Sequence, residues 1–87
     1  MTKKTEAETI TLRYAIEIEH FDTNYSAYCL DFPNCVAAGD TAELAKKELA
    51  RKLTQRLNLM VESGEEIPLP QTIIDWIDLD VPTSYGN

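Results

Sequence analysis

YSAYCLDFPNCVAAGDTAELA, residues 25–45, decides the fold of this chain, together with SGEEIPLP at residues 63–70. The first stretch reads as a short strand, a turn at Asp31-Phe32-Pro33-Asn34, a second short strand, and Gly39-Asp40-Thr41 opening a helix. Pro33 fixes φ and removes a backbone donor, and Asn34 tolerates a left-handed conformation. The second stretch stops that helix at Gly64, after which the prolines at 68 and 70 forbid helical continuation. No nucleophile, metal cluster or phosphate cradle is embedded in this core. The pattern therefore points to a small scaffold that works through its surface.

Working outward, residues 9–19 alternate. Ile10, Leu12, Tyr14, Ile16 and Ile18 fall on one face, with Thr11, Arg13, Ala15, Glu17 and Glu19 on the other. Period two predicts a strand with one buried face. Residues 20–24 carry turn chemistry, so residues 9–19 and 25–30 should form a hairpin. Residues 35–38 read as a third strand. Asp40 is the expected helix N-cap, with Glu43 as its capping-box partner. Ala42, Ala45, Leu49, Leu53, Leu57 and Met60 then recur at helical spacing, which predicts one helix over residues 41–63. Residues 73–81, IIDWIDLDV, alternate again, with Ile77, Leu79 and Val81 opposed to Trp76, Asp78 and Asp80. They read as a fourth strand that Pro82 ends.

The element order β-β-β-α-β predicts an α+β two-layer sandwich. Three antiparallel strands form a meander, the helix covers one face, and a right-handed crossover returns the last strand beside the first. The expected mixed sheet has spatial order 3-2-1-4. The expectation is a single domain over residues 1–87, with flexible ends at 1–8 and 82–87.

A chain of 87 residues can bury only roughly 60–65% of its unfolded surface, so self-association or a partner is expected to support it. Fifteen acidic and eight basic residues leave a formal charge of −7. Such a surface repels nucleic-acid phosphates and attracts a basic partner. No apolar run reaches the ~20 residues that span a bilayer, and the first ten residues lack the apolar core of a secretion signal. The chain reads as cytoplasmic. Cys29 and Cys35 then read as small buried hydrophobes rather than a disulfide or a zinc site.

The order and spacing of these pieces resemble the HicB-like antitoxin family of toxin–antitoxin modules. The resemblance rests on a Y-x-I-x-I-E strand at residues 14–19 and Tyr-x-Ala at residues 25–27. It continues through Asp31, Pro33 and Cys35 of the turn, Gly39, Asp40 and Thr41 at the helix start, and Gly64, Ile67, Pro68 and Pro70 after it. It covers about residues 10–81. Asn34 stands where the family usually has glycine. The resemblance implies a partial ribonuclease-H-like fold without its active site, and a function of blocking a small basic ribonuclease toxin of the HicA type. Many family members add a DNA-binding segment after the last strand. This sequence stops about six residues beyond it, so no direct DNA binding is expected from this chain.

Several residues carry sharper readings. Glu17, Glu19, Asp78 and Asp80 would share one sheet face if the first and last strands pair. Ribonuclease-H-type catalysis needs carboxylates converging on two metals about 4 Å apart. On so acidic a chain they read instead as a solvated face whose mutual repulsion invites a basic partner. Trp76 beside them suits an interface centre, or covers the sheet edge. His20, the only histidine, has no serine or cysteine placed to pair with it and reads as a turn residue. Lys46, Lys47, Arg51, Lys52 and Arg56 are interleaved with Glu43 and Glu48 without aromatic stacking platforms, and read as a solvated helix flank.

The expected function is therefore an antitoxin-like interaction protein, not an enzyme and needing no cofactor. It would neutralise a HicA-type mRNA interferase by occlusion, through Glu17, Glu19, Trp76, Asp78 and Asp80. The alternative is an orphan homo-oligomeric scaffold of the same fold. A residual metal-dependent nuclease is the third reading. A dimer or higher oligomer is expected from the open edges of so small a sheet.

Overall fold

The computed structural model describes residues 9–84. Three strands come first: β1 (Ile16–Phe21), β2 (Asn24–Cys29) and β3 (Phe32–Gly39). One helix follows, α1 (Ala42–Glu62). The strands form an antiparallel sheet in the order β1-β2-β3. Of the flexible ends expected at residues 1–8 and 82–87, residues 1–8 and 85–87 lie outside the described residues; residues 82–84 are exposed.

Register fixes the two faces. Ile16 pairs with Cys29, and Ile18 with Ala27, which in turn faces Ala37. Directly opposed residues in an antiparallel pair share a face. That face packs under α1, whose Ala45 and Leu49 close over Ala27 and Ala37. A second cluster joins Cys29, Phe32 and Met60, edged by Tyr14, Leu53, Leu57 and Ile67. The helical stripe read from the sequence is thus the buried stripe, with Ala45, Leu49 and Met60 at its centre.

The helix ends as expected. Gly64 adopts φ 76°, its N–H donates to the Val61 carbonyl, and the Glu65 N–H donates to Met60. These two bonds form a Schellman cap, which requires the left-handed residue that glycine supplies cheaply. The helix start is shifted by one residue. Thr41, not Asp40, is the N-cap, and its hydroxyl accepts from the Leu44 N–H at 3.0 Å. Glu43 consequently sits in the first turn rather than in a capping box with Asp40.

The turns are also tighter than expected. Phe21 pairs with Asn24, so His20 lies in β1 and the hairpin turns on Asp22 and Thr23 alone. Asp22 takes φ 47°. The second turn is Leu30-Asp31, and Phe32 already begins β3. Between the pairs Tyr28–Val36 and Cys29–Phe32 the register jumps, leaving Pro33, Asn34 and Cys35 without partners across the ladder. A proline has no N–H to give a ladder, so a bulge on an edge strand suits Pro33. Asn34 does not take positive φ; among the described non-glycine residues only Asp22 does.

The largest difference concerns residues 73–81. They take no regular secondary structure and pair with nothing among the described residues, so the expected order 3-2-1-4 is reduced to 3-2-1. The described chain measures 69 × 28 × 20 Å with a radius of gyration of 17.9 Å. A compact domain of this length would have a radius near 12 Å by the usual size scaling. The excess is an arm. Alternation reads as a strand, but a strand needs a neighbouring edge to become part of a sheet.

Candidate interaction surface

The sheet face opposite α1 is open. Glu17 lies across from Tyr28, which lies across from Val36, and Glu19 lies across from Ser26. The period of two that buries Ile16 therefore turns both glutamates outward, as the sequence implied. Phe21 and Val36 are exposed on this same face.

The Tyr28 hydroxyl donates a 2.6 Å hydrogen bond to Glu19 Oε2. This diagonal pair spans the β1–β2 ladder, within reach of a long aromatic side chain. That hydrogen bond to a carboxylate, with partial desolvation and the charges of Glu17 and Glu19, pushes the phenol up to about 12. The sequence offers Tyr28, Leu30 and Phe32 as side chains for the open face; Tyr28 lies there, whereas Phe32 is buried in the core at 5% exposure. The place of Tyr28 on the same face as Glu17 and Glu19 is implicit in the alternation.

Trp76, Asp78 and Asp80 are not beside Glu17 and Glu19. All three sit on the arm and are exposed, Trp76 at 82%. The expected single face of four carboxylates is therefore not assembled within one chain. Among the described residues no group of three or more His, Cys, Asp or Glu side chains could hold a metal ion.

The root of the arm is fixed. The Tyr14 hydroxyl donates to the Pro68 carbonyl, and the Thr72 hydroxyl donates to Asp31 Oδ1 at 3.1 Å. Pro70 is half-buried between them. Asp31 Oδ2 is buried and has no hydrogen-bond partner among the described residues. Motif residues Asp31 and Pro68 thus anchor the arm, a role their spacing alone does not reveal. Immediately beyond Thr72 the chain leaves the body, and Ile73 is 88% exposed.

The basic helix residues are accounted for individually. Arg51 forms a 2.5 Å ion pair with Glu48, one turn away. The pair holds the Glu48 carboxyl below its ordinary range, but an exposed pair of this kind adds little stability. Lys52 Nζ donates to the Val36 carbonyl at 2.8 Å, and so caps the outer edge of β3. The Arg56 guanidinium stands 5.8 Å from the centroid of Phe32. Lys46 and Lys47 are exposed. His20 stacks on Tyr25 with ring centroids 4.4 Å apart. Cys29 is buried, Cys35 half-buried, and both are free thiols.

No helix among the described residues is long and apolar enough to cross a membrane. No family model matches the chain, and no solved structure matches it. The chain is similar to Antitoxin HicB 2 of Photorhabdus laumondii subsp. laumondii, with 31% identity over 61 residues. The match takes in 70% of this chain and spans 44% of that relative's length.

Proposed function

We propose that this chain is a HicB-like antitoxin core that binds and neutralises a small basic mRNA interferase of the HicA type by occlusion. In this reading it works in the cytoplasm and catalyses nothing itself. The observation that carries the proposal is the similarity to a HicB antitoxin over 61 residues. The charge of −7 and the outward glutamates support it. A ribonuclease binds RNA through cations, and carboxylates can occupy those cations in place of phosphates. Glu17 and Glu19, like Asp78 and Asp80, repeat at i and i+2 on extended backbone, so each pair sets two charges about 7 Å apart on one side. Trp76 beside the aspartates supplies an aromatic anchor of the kind that dominates binding energy. We read the β-β-β-α core as the partial ribonuclease-H-like HicB fold, with the arm as its remaining strand.

The test is co-expression with a HicA-type mRNA interferase, read by growth rescue and pull-down. Rescue and co-purification by the wild-type chain are expected. Trp76→Ala should weaken the complex by about 2 kcal/mol or more. Lysine at both Glu17 and Glu19 should slow association and flatten its salt dependence. Failure of the wild-type chain to bind or rescue would overturn the proposal.

A further inference from the structure

Three features of the fold converge on one missing contact. The first is the outer edge of β1, which has no strand beside it among the described residues. The opposite edge of the sheet is blunted, because β3 carries Pro33 and Lys52 covers its Val36 carbonyl. β1, IEIEHF, carries neither proline nor lysine. The second is the floor under α1. Ala27 on β2 is fully buried, yet Ile18, its direct neighbour on β1, is 37% exposed on the same face. The helix covers β2 and β3 and leaves β1 half open. The third is the arm. Residues 73–81 are strand-patterned, and Ile77 and Leu79 are 81% and 75% exposed.

We propose that the arm of one copy pairs with the free β1 edge of a second copy, and that two copies exchange arms reciprocally. Ile77, Leu79 and Val81 would continue the apolar floor beside Ile16 and Ile18. Each chain carries both the donor strand and the acceptor edge, so the exchange closes on itself with two-fold symmetry. Anchoring at Tyr14–Pro68 and Thr72–Asp31 fixes where the arm leaves its own body. Nine extended residues then reach about 30 Å, enough to run the length of a neighbour's β1. Two such arms, each with a tryptophan and five aliphatic side chains, can bury on the order of the 1,600 Å² of a standard stable interface. A second copy is favoured over a different protein because residues 77–81 alternate as residues 16–19 of β1 do, apolar on one side and acidic on the other, and so extend both faces.

The exchange does not depend on the toxin reading. Its consequence for that reading is that each acidic face becomes composite, with Glu17 and Glu19 from one copy and Trp76, Asp78 and Asp80 from the other. A single chain would then hold only half of the surface.

The test uses the full chain without any toxin. Sedimentation equilibrium should give twice the 9.8 kDa chain mass. In a sample refolded from equal parts of carbon-13-labelled and unlabelled chain, isotope-filtered spectra should show contacts between the methyls of Ile77 or Leu79 and those of Ile16 or Ile18. Ile77→Pro lies outside the folded body and removes a ladder donor. It should weaken dimerisation about 10-fold or more while leaving the core spectrum unchanged. Arm-to-β1 contacts found only within one chain, no such contacts at all, or a dimer unaffected by Ile77→Pro would each overturn the proposal. Because toxin is absent, none of these results bears on whether the chain is an antitoxin.

Discussion

The Tyr14 hydroxyl donates a 2.5 Å hydrogen bond to the Pro68 carbonyl, across 54 residues of sequence. It ties the approach to β1 to the segment that follows α1, while the Tyr14 ring meets Phe32 edge-on at 5.4 Å. Desolvation, with smaller electrostatic contributions from Cys29 and Asp31, raises the phenol above its ordinary value. Tyr14→Phe keeps the ring contact and deletes only the bond. It should cost about 1 kcal/mol in urea unfolding, the ordinary net value of one hydrogen bond. Hydrogen exchange at Leu69 and Thr72 should accelerate more than exchange in β2. Equal acceleration everywhere would mean that the bond supports the whole body rather than the arm root.

The helix cap separates two neighbours that composition alone makes equivalent. Thr41 Oγ1 accepts from the Leu44 N–H, so Thr41→Ala should cost about 1 kcal/mol. Asp40 is exposed and does not cap, so Asp40→Ala should stay within about 0.5 kcal/mol. Thermal or denaturant unfolding of the two variants checks the order. A larger loss for Asp40→Ala would restore it as the cap.

Gly39 is required for space rather than for φ. A Cβ placed there would stand 2.6 Å from the Ala45 backbone nitrogen and 2.9 Å from the Leu44 carbonyl carbon. Both are backbone atoms at the start of α1, so strand and helix would have to separate. Gly39→Ala should cost about 2 kcal/mol or more, as overpacking does in cores. Gly64→Ala meets nothing within 4 Å but must hold φ 76°, and should cost about 1 kcal/mol from the left-handed backbone alone. Denaturant midpoints at constant m-value would compare them. A Gly39→Ala variant as stable as wild type would show that the helix can shift away freely.

What the sequence made legible was local. The stripe from Ala45 to Met60, the stop at Gly64 and the outward glutamates of β1 each follow from a periodicity or a backbone requirement contained within a few residues. What it hid depended on contacts between distant segments. Asp40 and Thr41 are both good caps, and the choice is made where Gly39 packs against the first helical turn. The sequence alone makes Pro33 a turn residue, but the ladder absorbs it as a bulge, with Phe32 buried against Cys29 and Met60. The arm is the extreme case. IIDWIDLDV states that it is a strand and which side is apolar, but the identity of its neighbour is nowhere in those nine letters. The acidic site inherits that gap, since Glu17 and Glu19 are placed by a hairpin while Asp78 and Asp80 are placed by whatever pairs with the arm.

Tyr28 and Glu19 give the open face a titration signature. Tyr28 is raised from 10.0 to about 12 by its bond to the Glu19 carboxylate. The folded value exceeds the unfolded one, so the folded state holds this proton more tightly. The associated stability is complete below pH 10 and is lost as pH rises from 10 towards 12. Tyrosinate absorbance or ring carbon shifts should show one late-titrating tyrosine near 12. Glu19→Gln should bring it down towards 10.0, because the charge and the strong acceptor go together. An unchanged Tyr28 titration in that variant would remove the bond from the account.

Trp76, the only tryptophan, reports directly on the arm. At 82% exposure its emission in the isolated chain should resemble that of indole in water and be quenched freely by acrylamide. Pairing of the arm with a second copy places the indole on a sheet face between neighbouring side chains. Emission should then shift to the blue, and quenching should fall, as the chain is concentrated through its dimerisation range. The Ile77→Pro chain should stay red-shifted and quenchable at every concentration, since a proline at the centre of the arm denies it a ladder. A basic toxin bound over the aspartates would produce a further blue shift, and that shift would be weakened by salt where the first would not. A wild-type spectrum blue at the lowest concentration would place the arm against its own chain and remove the exposed strand from which both the exchange and the composite acidic face are argued.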